Sequence, residues 1–258
     1  MWDAAQYLRF ADHRERPFHE LLERVGAEYP RRVVDVGCGP GTLTSVLALR
    51  WPSAVVEAFD SSPEMVSAAR ERGVKASLGD VTEWRPGADV DVIMCNAVLQ
   101  WVPDHVEVMT RWAETMAAGA WLAVQVPGNF GAPSHALTRE LAAEPQWRAQ
   151  LDGVLRGPET VHEPQVYAER LAALGCTVDV WESTYIQRLP GRDPVLQWIS
   201  GSALRPVRAT LNDVDWTRFA AELAPRLREA HPETTLDGEA EGGAWMPFRR
   251  IFVVAQAI

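Results

Sequence analysis

Cysteine is scarce in this sequence. Cys38, Cys95 and Cys176 form an odd, scattered set with no CxxC pair. That excludes a disulfide framework or a thiolate zinc centre as the organising element. Apolar runs are short, well below the ~18 residues a membrane span needs. The first residues, Met1 to Phe10, lack the basic start and apolar core of a secretory leader. A reduced, cytoplasmic chain is expected. Positive charge is also in deficit: 25 Lys and Arg stand against 35 Asp and Glu, a formal charge of −10. General nucleic-acid binding needs the opposite balance. A small anionic substrate remains compatible, because a few local arginines outweigh a distant field at short range.

What is present is ordinary globular material with 11 tryptophans among 258 residues. The first half alternates strands and helices. Strands are expected at 32–36, 55–59, 74–78, 90–95 and 121–126. Helices are expected at 42–51, 62–72 and 103–117, with Ser62 as an N-cap and Pro63 in the first turn. This rhythm predicts a doubly wound α/β fold with a mostly parallel sheet of seven strands. The second half reads as helices within 127–175, a strand at 178–185, and a largely helical stretch over 186–246 broken by prolines. A strong strand follows at 248–255. The 186–246 stretch is too long for a loop and reads as an inserted helical lid lobe, and the last strand is expected to be antiparallel, which would start it on the carboxyl edge of the parallel strands. One domain is expected, with a helical cap over 1–30, a cofactor-binding half over 31–126, and substrate-side insertions at 127–175 and 186–246.

The most informative segment runs from Asp35 through Gly37, Cys38, Gly39, Pro40 and Gly41 to Thr42. It follows the first strand and opens a helix, where glycines let backbone approach a ligand. Asp60 closes the second strand, where an acid can accept from both hydroxyls of a ribose. A dinucleotide fingerprint would place its third glycine at position 42, which is Thr42. An acid inside the strand, Asp35, suits an ammonium group and would repel a pyrophosphate. Taken singly, Asp60 also reads as a helix cap and Asp80 as a turn residue. Together, in order and at strand ends, they point to a nucleoside-bearing cofactor.

The Asp-x-Gly-x-Gly-x-Gly order resembles the first motif of class I S-adenosylmethionine-dependent methyltransferases. Gly79-Asp80-Val81 resembles that family's third-strand motif, where the acid takes the adenine amino group. Cys95-Asn96-Ala97, followed by Leu99-Gln100-Trp101, resembles its fourth-strand motif. The resemblance implies cofactor contacts from Asp35, Gly37, Cys38, Gly39, Asp60, Ser61, Met65, Asp80, Val81, Asn96, Ala97 and Trp101. S-adenosylhomocysteine is then the product.

Longer stretches resemble one branch, the trans-aconitate methyltransferases. They include Trp101-Val102-Pro103-Asp104-His105, Pro127-Gly128-Asn129-Phe130, Pro133-Ser134-His135, Leu204-Arg205-Pro206 and Phe248-Arg249-Arg250. This implies methyl transfer to one carboxylate of a tricarboxylate, giving a monomethyl ester. A carboxylic acid of pKa about 4 is already ionised at pH 7, so no general base and no catalytic side chain is expected. No metal is expected either. The carboxylates that do not react need cationic grips, and arginine matches them with a planar fork. Candidates are Arg205, Arg249 and Arg250, only one of the last two facing inward, together with Arg16, Asn129 and His135. His135 also reads as the cap of the next helix. Trp101 is a candidate wall; Tyr7, Gln100, Tyr185 and Trp198 are weaker candidates. A monomer or weak dimer is expected, with no membrane or nucleic-acid partner. Another carboxyl methyltransferase, for instance on a malonyl thioester, stays open. So do a nicotinamide oxidoreductase, disfavoured by Thr42 and Asp35, and a binding protein that retains the fold without turnover.

Overall fold

The computed structural model describes residues 11–236 and 242–258. Strands β1 (Arg32–Val36), β2 (Val55–Asp60), β3 (Ala76–Leu78), β4 (Val92–Asn96) and β5 (Trp121–Pro127) are followed by β6 (Cys176–Pro190), β7 (Glu233–Thr234) and β8 (Gly243–Ala257). Their order is β3-β2-β1-β4-β5-β8-β6, with the two-residue β7 paired to β8. The strands from β3 to β5 are mutually parallel. Strand β8 runs antiparallel to β5, from Trp121 opposite Gln256 to Pro127 opposite Arg250. The doubly wound sheet read from the sequence is therefore present, with β7 as an eighth strand.

The chain divides into two compact units. One comprises Asp12–Pro127, His162–Ser183 and Arg250–Ile258. Its helices are α1 (Ala11–Glu23), α2 (Thr44–Arg50), α3 (Pro63–Glu71), α4 (His105–Thr115) and, later in the chain, α7 (Pro164–Ala172). Strands β1 and β4 are buried along almost their whole length, as a sheet covered on both faces requires. Helix α2 starts two residues later than expected, because residues 40–43 are taken up in the turn that Gly41 completes at φ +77°. Helix α3 is capped as expected: the Ser62 hydroxyl accepts from Met65 N–H, and Pro63 opens the first turn.

In the other unit the described residues are 11, 128–161, 184–236 and 242–249. It holds α5 (Pro133–Ala142), α6 (Pro145–Leu151), α8 (Pro194–Ser200), α9 (Arg205–Thr210) and α10 (Asp213–Ala230). Trp147, Trp198, Phe219, Leu223 and Leu227 pack in one apolar core. The expected strand at 178–185 extends to Pro190, so residues 186–190 are strand rather than helix. Pro194 and Pro206 do not break helices; they sit in the first turns of α8 and α9, where the missing N–H costs nothing. Pro225 lies within α10 and does not end it.

A polar knot in the first unit ties the chain after β4 to α7. His105 is buried, and its Nε2 lies 2.8 Å from the Tyr167 hydroxyl. That hydroxyl also accepts from His162 N–H at 3.0 Å. The opposite ring nitrogen bonds backbone at Val102. Burial, reinforced by His162, lowers the His105 pKa from 6.5 to about 4. The neutral ring therefore stabilises the fold fully above about pH 6.5, and that contribution is lost as pH falls towards 4. The stability gap between wild type and His105→Gln should shrink over this window by on the order of 3 kcal/mol. Chemical denaturation at pH 7, 5.5 and 4.5 measures it, and a constant gap contradicts the buried neutral histidine.

Candidate active site

The carboxyl ends of β1 to β4 converge within the first unit. Gly37 and Cys38 donate their N–H groups to the Phe59 carbonyl at 2.8 and 3.0 Å. The Asp60 carboxylate then locks the turn: Oδ2 accepts from Gly39 N–H and Oδ1 from Ser62 N–H, each at 2.9 Å. Gly79 N–H donates to the Asp60 carbonyl at 3.1 Å, which joins the end of β3. Gly37 closes the circle with the β4 side. A Cβ there would lie 2.3 Å from a Val98 methyl, so only glycine fits at its φ of +70°.

This cradle fits an aminoacyl nucleoside. Gly39 has φ +55° and a Cβ added there would meet nothing within 4 Å, so backbone lies open to a ligand. Asp60 keeps further lone pairs beyond the two N–H bonds, enough for a ribose diol. Asn96 ends β4 with a buried Oδ1 that has no hydrogen-bond partner among the described residues. Ala97 adopts φ +58°, a costly conformation for a residue with a Cβ. Its N–H donates to the Gln125 carbonyl, and its carbonyl accepts from Gln100 Nε2 at 2.6 Å. Gln100 is therefore buried as a brace of this turn, whereas Trp101 beside it is 48% exposed and presents its indole.

The acids differ in environment. Asp35 is buried, takes a 2.6 Å bond from the Thr44 hydroxyl and is raised to about 6 by burial. Asp80 is exposed; its Oδ1 accepts from the Thr82 N–H and hydroxyl, which lowers its pKa. It is thus a turn residue in fact, with Oδ2 outside those bonds. Val81 follows Asp80 in the same turn, Ser61 lies exposed beside Asp60, and Met65 is buried in α3. Cys38 is pushed up to about 12, chiefly by burial, and Cys95 well above its usual value. Neither is a thiolate nucleophile at neutral pH.

The other expected site residues are distributed as follows. Tyr7 lies outside the described residues. Arg16 lies exposed within α1 rather than ahead of it. Arg250 is buried, opposite Pro127 at the end of β5; Arg249 is half-buried and its carbonyl accepts from Gly128 N–H. In the second unit, Asn129 is buried with Oδ1 unpartnered among the described residues. The helix after it is not capped by His135. Ala132 is the N-cap, and His135 sits one residue beyond Ser134 in the first turn of α5. Burial and the neighbouring Arg139 and Arg156 lower His135 to about 4. Trp198 is core, set edge-on to Phe248, and Tyr185 is buried. Arg205 opens α9. Sequence reading passed over Arg139 and Arg156, which lie outside the stretches that resemble the family, although Arg156 directly precedes Gly157-Pro158.

Comparison with known proteins decides the family. Residues 10–178 match the methyltransferase domain family. A trans-aconitate 2-methyltransferase of Mycobacterium sp. (strain KMS) is 58% identical over 99% of both chains. One from Rhodococcus jostii is 57% identical over the same share. The chain belongs to the trans-aconitate 2-methyltransferase family. The YcgJ protein of Bacillus subtilis shares the fold, with a TM-score of 0.58 at 13% identity over 94% of this chain and 98% of that one. The chain is thus a methyltransferase with the fold its glycine turn implied. Asp60→Ala unpins that turn as well as deleting an acceptor. Affinity for S-adenosylhomocysteine should fall by about 1.5–3 kcal/mol, the range for hydrogen bonds to a charged group. Titration calorimetry that finds unchanged affinity separates Asp60 from the cofactor.

Proposed function

We propose that this enzyme transfers the methyl group of S-adenosylmethionine to one carboxylate of trans-aconitate, giving a monomethyl ester and S-adenosylhomocysteine. The observation that carries this reading is the identity of 58% over 99% of the chain with a relative named for that reaction. S-adenosylmethionine supplies an electrophilic methyl group on a sulfonium, which leaves as a neutral thioether. The cofactor is held by the glycine turn, Asp60 and the β3 and β4 ends, with Asp35 facing its ammonium group. The carboxylates that do not react are held by arginines, Arg205 with Arg249 or Arg250, and by Asn129 and His135. The three free cysteines support action in the cytoplasm and the acidic balance supports the lack of a nucleic-acid partner; the enzyme is read as a monomer or weak dimer acting on a small polycarboxylate. Among the described residues no helix is long and apolar enough to cross a membrane.

The protein has little proton chemistry to perform. A substrate carboxylate is ionised at pH 7, and His105 and His135 both stay neutral down to about 4. Their work is hydrogen bonding and packing. The chain's task is to hold a carboxylate oxygen in line with the methyl carbon at roughly 3 Å.

Turnover on trans-aconitate should therefore be nearly flat from about pH 6.5 to 8.5. A steep rise centred near 7 would assign a base and remove the preformed-carboxylate mechanism. Asp35 gives a second check. Its ionised form is disfavoured by burial, and an ammonium group beside it reverses that preference. Binding of S-adenosylmethionine near pH 6 should release a fraction of a proton, fading by about pH 7. Calorimetry in buffers of different ionisation enthalpy reads this directly; no release means that Asp35 does not meet the ammonium.

A further inference from the structure

The sheet of the first unit holds an amide that the chain leaves unused. Gln125, on β5, is fully buried, and both its Oε1 and its Nε2 lack a hydrogen-bond partner among the described residues. Its backbone is ordinary, with the carbonyl accepting from Ala97 N–H at 2.9 Å. Its neighbours Leu122, Ala123, Val124 and Val126 are the apolar residues a buried strand calls for. An amide shut away from water with both ends unpaired costs free energy that an apolar side chain of similar shape would not. Local rules broken at such a cost are expected at functional sites.

Register shows what shares its face. Gln125 stands level with Asn96 on β4 and opposite Phe252 on β8, and Pro127 stands opposite Arg250. Paired positions lie on one face of a sheet, and side chains alternate along each strand. Asn96, Gln125, Pro127, Phe252 and Arg250 therefore share a face. Asn96 Oδ1 is a second buried atom without a partner among the described residues. Phe252 is stacked on Trp181 at 4.8 Å, an apolar wall on the β8 side. Asn96 and Pro127 are only half-buried, so this face opens to solvent one step beyond the amide. That opening lies at the carboxyl edge of the parallel strands, where ligands of such sheets bind. The glycine turn is tied to β1 and β2, and β5 lies on the far side of β4 from both. Gln125 thus stands away from the nucleoside side of the site.

We propose that Gln125 is a substrate-binding residue, whose Nε2 donates to an oxygen of a substrate carboxylate beside Asn96. The proposal rests on the trans-aconitate reading above. A neutral amide suits the position, because it donates to an anion without leaving a charge of its own buried in the free protein.

Gln125→Met removes the amide and keeps much of its shape; Gln125→Leu is a second apolar replacement. Three quantities are read on the whole protein. They are the melting temperature without ligand, the affinity for S-adenosylhomocysteine, and the affinity of that complex for tricarballylate, a saturated tricarboxylate that mimics the substrate. The ligand-free melting temperature of Gln125→Met should rise by on the order of 3 °C, because an unpaired buried amide is gone. Tricarballylate affinity should fall about tenfold or more, while S-adenosylhomocysteine affinity changes less than twofold. A residue that only packs the core would not raise stability and weaken one ligand together. Where tricarballylate binds wild type too weakly to measure, kcat/KM on trans-aconitate takes its place with the same expectation. A lower melting temperature in both variants means that the amide is paired in the free protein, and overturns the proposal. So does tricarballylate affinity within twofold of wild type. An equal or larger loss of S-adenosylhomocysteine affinity also overturns it, since the carboxylate held would then be the cofactor's. The two readings fail separately. Wild-type turnover of trans-aconitate with a Gln125→Met kcat/KM within twofold of it removes this role and keeps the reaction. Gln125-dependent tricarballylate binding without wild-type turnover of trans-aconitate keeps the role and removes the reaction.

Discussion

One carboxylate organises the cofactor side of this protein. Asp60 uses each oxygen once on backbone, binding Gly39 N–H in the first turn and Ser62 N–H at the start of α3. The glycine turn can stay glycine-rich and open because an acid from the neighbouring strand fixes it. Positive φ at Gly37, Gly39 and Gly41 would otherwise leave a run of backbone with large conformational freedom. The same acid leads into the Ser62 cap, so ligand cradle and helix start share one anchor. A side chain bonded this way has few orientations left, which is what a receptor for a ribose diol needs.

The ionisable groups fit the chemistry in the same sense. A reaction that needed a base would require a histidine or cysteine poised near neutrality. Here burial drives His105 and His135 down and Cys38 and Cys95 up, away from pH 7 in every case. Asp35 is brought closer to neutrality, to about 6, chiefly by burial. Methyl transfer between a sulfonium and a carboxylate needs no proton shuttle.

Much of this was legible in the sequence, for physical reasons. Parallel strands buried on both faces must be short apolar runs, and β1, β4 and β5 stand out for that reason. The Ser62-Pro63 start is local chemistry and was read correctly, as was the antiparallel last strand that brings Arg250 opposite Pro127. What failed was the reading of prolines and of long strands. Pro194 and Pro206 look like breaks, yet at the first turn of a helix they replace an N–H that has no partner anyway. Residues 186–190 alternate too weakly to announce a strand that begins ten residues earlier. His135 looked like a cap because it follows Pro-Ser, but Ala132 takes that position. Arg139 and Arg156 were invisible for a different reason. They lie seventeen residues apart, and the fold brings them together beside Phe130 and His135, where Arg139 donates to the Arg156 carbonyl at 3.5 Å. Spacing along a chain carries no trace of such a pairing.

The overall charge and the proposed substrate pull in opposite directions, and distance resolves the conflict. A chain of formal charge −10 repels a trianion from afar, but at physiological salt that field decays over about 8 Å. At short range the nearest charges dominate instead, and two arginines can stand close together in this acidic chain: Arg139 and Arg156 both neighbour His135, which is held neutral first by burial and then by those two charges.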